Sequence, residues 1–474
     1  MNPAYSSAGF FLALLLMCIK IRILTVLSLL LPSILFAEER FCYRVYLKDK
    51  GSSVYSLDHP ENFLSKEAIE RRLRQGLAVS ISDLPIAQAY LDTLTAYDCD
   101  LILKSKWFST VVVSTSDSSL LKTLSLVSFV DSVKLVWKGD DNIFIPLEEE
   151  VERLKSKEEP KHSLYGYAEK QIQMLNGIKL HQKGFKGEGM RVAIIDAGFK
   201  NVDRIAAFDS LRLLGTHNVI SPHQSVFVGD NHGTKVLSCL AANEPGIMVG
   251  TAPSASYWLI KSEDTYSEYP IEEDFWTAAI EFADSVGVSV VSSSLGYYSF
   301  DDKTLDYNKN QLDGKTSFIT RAAQVAASKG LVIFCSAGNE GASGWRKITF
   351  PADASDVLTV GAITDHKKRS EFSSIGFTVD ERVKPDLVAL GSGCCVIDSD
   401  GDIHYVSGTS FATPILAGLS ICLWQAFPFF TNKELIEFIR HSGSMYDHPN
   451  AEIGYGIPNI YKAYKQRRKY EKSK

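Results

Sequence analysis

Between residues 165 and 466 the chain repeats one pattern, and that pattern leaves few folds open. Short apolar runs alternate with stretches of helical period. The runs are RVAIID (191–196), SYWLIK (256–261), VSVVSSS (288–294), LVIFCSA (331–337) and DVLTVGAI (356–363). Each is short and nearly continuously apolar, as a strand buried on both faces must be. Between them lie stretches such as EEDFWTAAIEFADSV and FITRAAQVAASKG, with apolar residues three and four apart. Strands alternating with helices predict a mostly parallel sheet covered on both faces, an α/β fold. Such a sheet binds its ligand at the carboxyl ends of its strands. Polar residues just after the apolar runs are therefore the candidates for chemistry.

Asp196 closes RVAIID and is followed by Ala-Gly-Phe. A carboxylate there either forms a turn or serves a site. GEG precedes this strand, so it is not a dinucleotide fingerprint, in which the glycines follow the strand. His232, in DNHGTKVLSCLAA, opens a predicted helix, and Gly233 beside it permits close approach. Asn339, in LVIFCSAGNEG, follows a strand among residues that also make ordinary turns. Ser410, in VSGTSFATPILAGL, sits where a helix is predicted to start. Pro414 is expected in that helix's first turn, where a missing N–H costs little. A helix N-terminus offers unpaired N–H groups and a positive dipole end. Those groups suit an oxyanion forming beside a hydroxyl nucleophile.

Each signal alone is weak. Their joint order, Asp, then His-Gly-Thr, then Asn, then Gly-Thr-Ser, is one of the convergent Ser-His-Asp orders. Together with VAIIDAGF, NHGTKVLS, SSLGY, SAGNEG and SGTSFATPILAG, it resembles the subtilisin-like serine proteases, or subtilases, across residues 190–420. The resemblance implies a subtilisin-like three-layer fold over 165–466 and a serine endopeptidase acting through an acyl-enzyme. It implies a triad of Asp196, His232 and Ser410, with Asn339 donating to the oxyanion. It makes Ser294, Leu295 and Gly296 a strand that pairs with substrate, and Gly338 a wall of the pocket for the residue before the cut. Glu340 is expected near that pocket's rim, favouring a basic side chain there. No cofactor is required for this chemistry. Many subtilases bind calcium, and Glu268, Glu272, Glu273 and Asp274 are oxygen donors, but they also precede a helix, so no ligand is assigned. Two departures stand out. Ala197 replaces the usual Ser or Thr after the aspartate, and Lys235 follows His-Gly-Thr as a cation able to lower the imidazole's pKa. The alternative is a catalytically silent subtilase-fold binding or scaffold protein. An esterase is disfavoured because Ser410 lacks a G-x-S-x-G elbow.

Residues 38–138 read as a small α+β unit of ferredoxin-like order. FCYRVYLK, KWFSTVVVST and FVDSVKLVW are strand-like, and FLSKEAIERRLRQ, DLPIAQAYLDTLTA and SSLLKTLSLV are helical. It resembles the propeptide of the same family, which implies an intramolecular inhibitor and a zymogen. Residues 139–164 are rich in charge, a linker suited to activation cleavage. Residues 467–474 form a basic tail.

Residues 1–37 are expected to be a signal peptide. Lys20 and Arg22 precede the apolar run 23–36, Ala37 follows as a small cleavage residue, and Met17 is a candidate true start. The alternative is an uncleaved membrane anchor. The signal peptide implies a secreted, periplasmic or cell-surface protein and the anchor a membrane-bound one, and no later run is apolar for long enough to span. With net charge −6 and no basic excess, no nucleic-acid partner is expected; polypeptides are. Cys239, Cys335 and Cys422 are expected as buried thiols, and Cys42 and Cys99 are candidates for a disulfide.

Overall fold

The computed structural model describes residues 39–140 and 152–472. The expected signal peptide and residues 141–151 of the linker lie outside the described residues. In the N-terminal unit the elements run β1 (Glu39–Leu47), α1 (Lys66–Arg74), α2 (Gln88–Thr95), β2 (Asp100–Ser105), β3 (Thr110–Thr115), α3 (Leu120–Leu124) and β4 (Val130–Asp140). The four strands are antiparallel in the order β2-β3-β1-β4. β2 was not expected from sequence. It is an edge strand whose residues alternate between exposed and partly covered, so it carries no continuous apolar run.

The sheet has two working faces because successive side chains point opposite ways. Tyr43, Val45, Leu47, Val111 and Val113 form the unit's own core. Cys42, Val112 and Val136 join a core shared with the following domain. Cys99 packs toward the unit's own core, on the other face from Cys42. The two cysteines are not bridged, which settles the disulfide candidate against pairing. Residues 152–164 hold no helix and run extended over the next domain, with Leu154 bridged to Ile205.

Beyond them come α4 (Glu169–Met174), α5 (Gly177–His181), β5 (Arg191–Asp196), β6 (Arg212–Asn218), α6 (His232–Ala241), a two-residue ribbon β7 (Asn243–Glu244) and β8 (Met248–Val249), β9 (Ser256–Lys261), α7 (Ile271–Ser285), β10 (Val290–Ser293), α8 (Phe318–Ser328), β11 (Val332–Ser336), β12 (Leu358–Ile363), β13 (Leu387–Leu390), the hairpin β14 (Cys394–Ile397) and β15 (Ile403–Val406), α9 (Thr409–Ala426), α10 (Asn432–His441) and α11 (Ile460–Lys472). Seven strands form a parallel sheet in the order β13-β12-β11-β10-β5-β9-β6. The two outer strands escaped the sequence reading. β6 is largely exposed, and β13 is only four residues long. Along β5, Val192 and Ile194 face the core that includes α6 and α9, while Ala193 and Ile195 face the core that includes α7 and α8. The result is three layers.

α9 is long and apolar enough to cross a membrane by length and composition, contrary to the expectation that no later run would be. It is instead a core helix, buried from Thr409 to Trp424.

The N-terminal sheet docks on α7 and α8 through buried charge. Arg44 of β1 grips Asp274 by two hydrogen bonds of 2.6 and 2.5 Å and lies over the Phe318 ring. Arg71 and Arg72 of α1 each take one oxygen of Asp284. Lys329 returns the pattern by bonding Asp83 at 2.8 Å. Glu281 accepts the backbone N–H groups of Lys106 and Trp107. Three of the four acids that raised the question of a metal are thus engaged by protein groups. Asp274 holds Arg44, Glu273 accepts the Tyr307 hydroxyl, and Glu272 accepts the Asp264 N–H. Among the described residues no three His, Cys, Asp or Glu side chains are gathered as metal ligands.

Candidate active site

An open cleft of about 350 Å³ lies at the carboxyl ends of the central strands. His232, Ser294, Leu295, Gly296, Gly338, Asn339 and Ser410 all line it. Asp196 stands behind His232, fully buried at the end of β5.

Asp196 Oδ1 meets His232 Nδ1 at 2.7 Å and also accepts the Ala197 N–H at 2.8 Å. Its other oxygen, Oδ2, is buried with no hydrogen-bond partner among the described residues. Burial by itself lowers the His232 pKa, but Asp196, Glu263 and Asp230 outweigh it and raise the pKa to about 9. Lys235, which the sequence offered only as a cation able to lower it, does not prevail over these acids. Lys235 Nζ bonds Asn231 Oδ1 at 3.0 Å and stands 3.8 Å from Asp398, and acids dominate around the ring.

Ser410 is the second residue of α9. Its hydroxyl donates to the Ser294 carbonyl at 3.4 Å, and no hydrogen bond joins it to His232. Pro414 lies beyond the first turn, not within it as expected. In an α-helix its missing N–H would have bonded the Ser410 carbonyl four residues back. That carbonyl instead accepts the Ser294 hydroxyl at 2.9 Å. The proline thus frees an oxygen that ties the helix start to the end of β10.

Asn339 Oδ1 accepts two donors from Thr409, its N–H at 2.9 Å and its hydroxyl at 3.1 Å. Two donors on one atom fix that atom as the oxygen. Among the described residues the amide nitrogen has no protein partner on the cleft wall. Leu295 and Gly296 make no backbone hydrogen bond to another described segment, so their edge is open. Gly296 and Gly338 close around Thr349. A Cβ on Gly296 would sit 2.2 Å from Thr349 Oγ1, and one on Gly338 would sit 2.8 Å from its Cγ2. Gly338 also has φ +99°, which disfavours any side chain. Glu340 is on the wall as expected, with Tyr298 donating to its Oε2 at 2.9 Å.

Sequence reasoning missed Asp230, Glu263 and Thr349 as lining residues. The first two were within reach of the rule already in use. Glu263 lies just past the carboxyl end of β9, and Asp230 two residues before His232. Thr349 lies on no motif and is brought in by the Tyr297–Phe350 bridge.

The architecture is that of an α/β serine hydrolase. Residues 187–456 match the model described as the subtilase family of S8 peptidases, and 42–146 match the peptidase S8 propeptide domain of Bacteroidota. The chain is 30% identical to subtilisin DY of Bacillus licheniformis over 54% of its own length and 84% of that protein. It is 28% identical to a thermostable alkaline protease of Halalkalibacterium halodurans, covering 62% of this chain and 72% of the relative. A crystal structure of the epidermin leader peptide processing serine protease of Staphylococcus aureus superposes with TM-score 0.62 at 15% identity, over 90% of this chain and 98% of that one. That likeness is one of fold. The chain belongs to the subtilase family: it is a serine-type endopeptidase with an N-terminal propeptide domain.

Proposed function

We propose that the protein is an exported zymogen whose peptide hydrolysis runs through Asp196, His232 and Ser410. The observation that carries this reading is the 2.7 Å Asp196–His232 contact in the same cleft as a serine at a helix N-terminus. A free hydroxyl is a poor nucleophile and needs a base beside it. Rotation about the Ser410 Cα–Cβ bond turns Oγ from the Ser294 carbonyl toward His232. The imidazole takes the hydroxyl proton as Oγ attacks the peptide carbonyl, and gives it to the leaving amine. Asp196 fixes the ring with Nδ1 protonated and stabilises the imidazolium. The Asn339 amide and the Ser410 N–H donate to the oxyanion. Substrate pairs with the open edge of Leu295 and Gly296 as an added strand. The chemistry uses no cofactor, and the substrates are polypeptides.

The propeptide is read as an intramolecular inhibitor. Support comes from Trp137 Nε1 on Ser267 and Lys138 on Asp302, which bring the end of β4 to the loop bordering the cleft. Cleavage in the 139–164 linker then releases the domain, and the 1–37 segment exports the chain.

The test compares wild type with Ser410→Ala by intact mass and by labelling with a fluorophosphonate. Labelled wild type that loses its propeptide, beside an unlabelled full-length variant, is the expected result. Equal labelling of both proteins removes Ser410 from the mechanism.

A further inference from the structure

The turn that joins β14 to β15 is bonded to the two segments that carry Asp196 and His232. The loop after β5 begins at Asp196 and reaches Asn201, whose amide nitrogen donates to the Ser399 carbonyl at 2.8 Å. The residue before α6 is Asn231. Its amide nitrogen donates to Asp398 Oδ1 at 2.7 Å and to the Ser399 hydroxyl at 3.3 Å. In the other direction β15 leads into α9, whose second residue is Ser410. One hairpin is thus bonded to the segments bearing Asp196 and His232 and continuous with the one bearing Ser410. Asp398 and Ser399 themselves do not line the cleft.

The turn is held in place without α6. The Asp398 N–H donates to the Asp402 carbonyl at 3.1 Å, and the Gly401 N–H to the Asp398 carbonyl at 2.9 Å. From outside, Lys157 clasps the Asp402 carboxylate with its N–H at 2.8 Å and its Nζ at 2.7 Å. The start of α6 lacks the usual device for its own fixing. A helix commonly begins at a side chain that accepts an N–H of the first turn. Among the described residues the Asn231 side chain accepts none. Its amide is directed outward instead. Lys235 Nζ donates to the amide oxygen at 3.0 Å, so the nitrogen is the group that faces Asp398. His232 is the first residue of α6, where helices fray, and its ring moves with that end. We propose that Asp398 is a positioning residue for peptide hydrolysis. By holding the Asn231 amide it fixes the start of α6, and so sets the His232 ring against Asp196 and within reach of Ser410. The inference rests on the hydrolytic reading above, and its residue touches neither substrate nor the reacting atoms.

The experiment uses the full chain, expressed and allowed to mature, with steady-state kinetics on one peptide. Fluorophosphonate labelling counts competent sites first, so that kcat is stated per labelled serine and folding yield cancels. Asp398→Ala should lower kcat by about tenfold or more, because a misplacement on the order of 1 Å can cost about 10²-fold. KM should stay near the wild-type value, since Asp398 lies off the cleft. Asp398→Asn keeps an acceptor oxygen for Asn231 and should restore most of kcat, which separates the hydrogen bond from the charge beside Lys235. Asn231→Ala breaks the same link from the helix side. Joined to Asp398→Ala it should be no slower than the slower single variant, as expected for two residues in one bond. If Asp398→Ala does not fold, Asn231→Ala carries the test under the same expectation. A wild-type kcat in either alanine variant, whatever happens to KM, overturns the proposal. So do losses that multiply in the double variant, or an Asp398→Asn as slow as Asp398→Ala. A wild type that cleaves no peptide and takes no label overturns the hydrolytic reading, and the positioning role falls with it.

Discussion

Ser294 and Ser410 exchange two hydrogen bonds, each hydroxyl donating to the other's carbonyl, at 2.9 and 3.4 Å. The shorter bond exists because Pro414 cannot donate to the Ser410 carbonyl. Both residues are buried, so that carbonyl has few other partners available.

Ser294→Ala is therefore expected to strand a buried carbonyl and destabilise the protein by about 1–3 kcal/mol. Pro414→Ala restores an N–H that reaches the same oxygen. The double variant should be less destabilised than the sum of the singles, by more than the roughly 0.3–0.5 kcal/mol scatter of independent sites. Urea unfolding of the four proteins in a Ser410→Ala background, which removes the proposed nucleophile, measures the coupling. Strict additivity refutes the link between the proline and the serine.

The docking of the propeptide makes a different kind of prediction. Arg44 and Asp274 are nearly out of solvent in the joined chain. Removing one member of such a pair leaves an uncompensated buried charge and typically costs about 3–5 kcal/mol. Arg44→Ala should lower the stability of the uncleaved chain by that order. The double replacement Arg44→Met with Asp274→Leu should recover most of the loss, since apolar groups of similar volume often substitute for a buried pair. Equal losses in the single and double variants would show that the charge pair is not the issue.

The pH profile follows from the acids around His232. In the proposed mechanism His232 acts as a base only when neutral, and its pKa is raised to about 9. A raised pKa keeps the ring protonated to higher pH, so activity is lost as pH falls through that value and gained as it rises. kcat/KM should climb through an apparent pKa near 9, above the ordinary imidazole value of about 6.5. Glu263→Gln removes one of the acids that raise it and should move the limb to lower pH. A limb that stays at the same pH in Glu263→Gln would mean that Glu263 does not act on the ring.

Much of this was legible before any coordinates. The buried central strands announced themselves because both faces are apolar, and Asp196, His232, Asn339 and Ser410 all stand at strand ends or helix starts. What escaped notice did so for physical reasons. β2 and β6 are half exposed, so their sequences lack the continuous apolar signature. The charge on α7 looked like helix-start acid, because a buried partner such as Arg44 lies 230 residues away in sequence. The role of Pro414 depends on one residue of helix register, a precision that sequence does not reach. Thr349 enters the cleft through a long-range bridge and left no local mark.

Asn339 supports the most direct test of the oxyanion assignment. Its oxygen is occupied by Thr409, so its amide nitrogen is the group left facing the cleft. Asn339→Ala removes that donor from the transition state and should slow kcat by roughly 10²–10³, the loss usual for one such donor. KM should change little, because the ground-state carbonyl oxygen lies short of the position the oxyanion takes up. Asn339→Asp keeps the acceptor for Thr409 but substitutes a negative charge for the donor. It should be at least as slow as Asn339→Ala. The comparison separates the two jobs of the side chain: if holding Thr409 were the essential one, Asn339→Asp would retain most of the rate. Steady-state kinetics on one peptide, with labelling to count competent Ser410, decides between them.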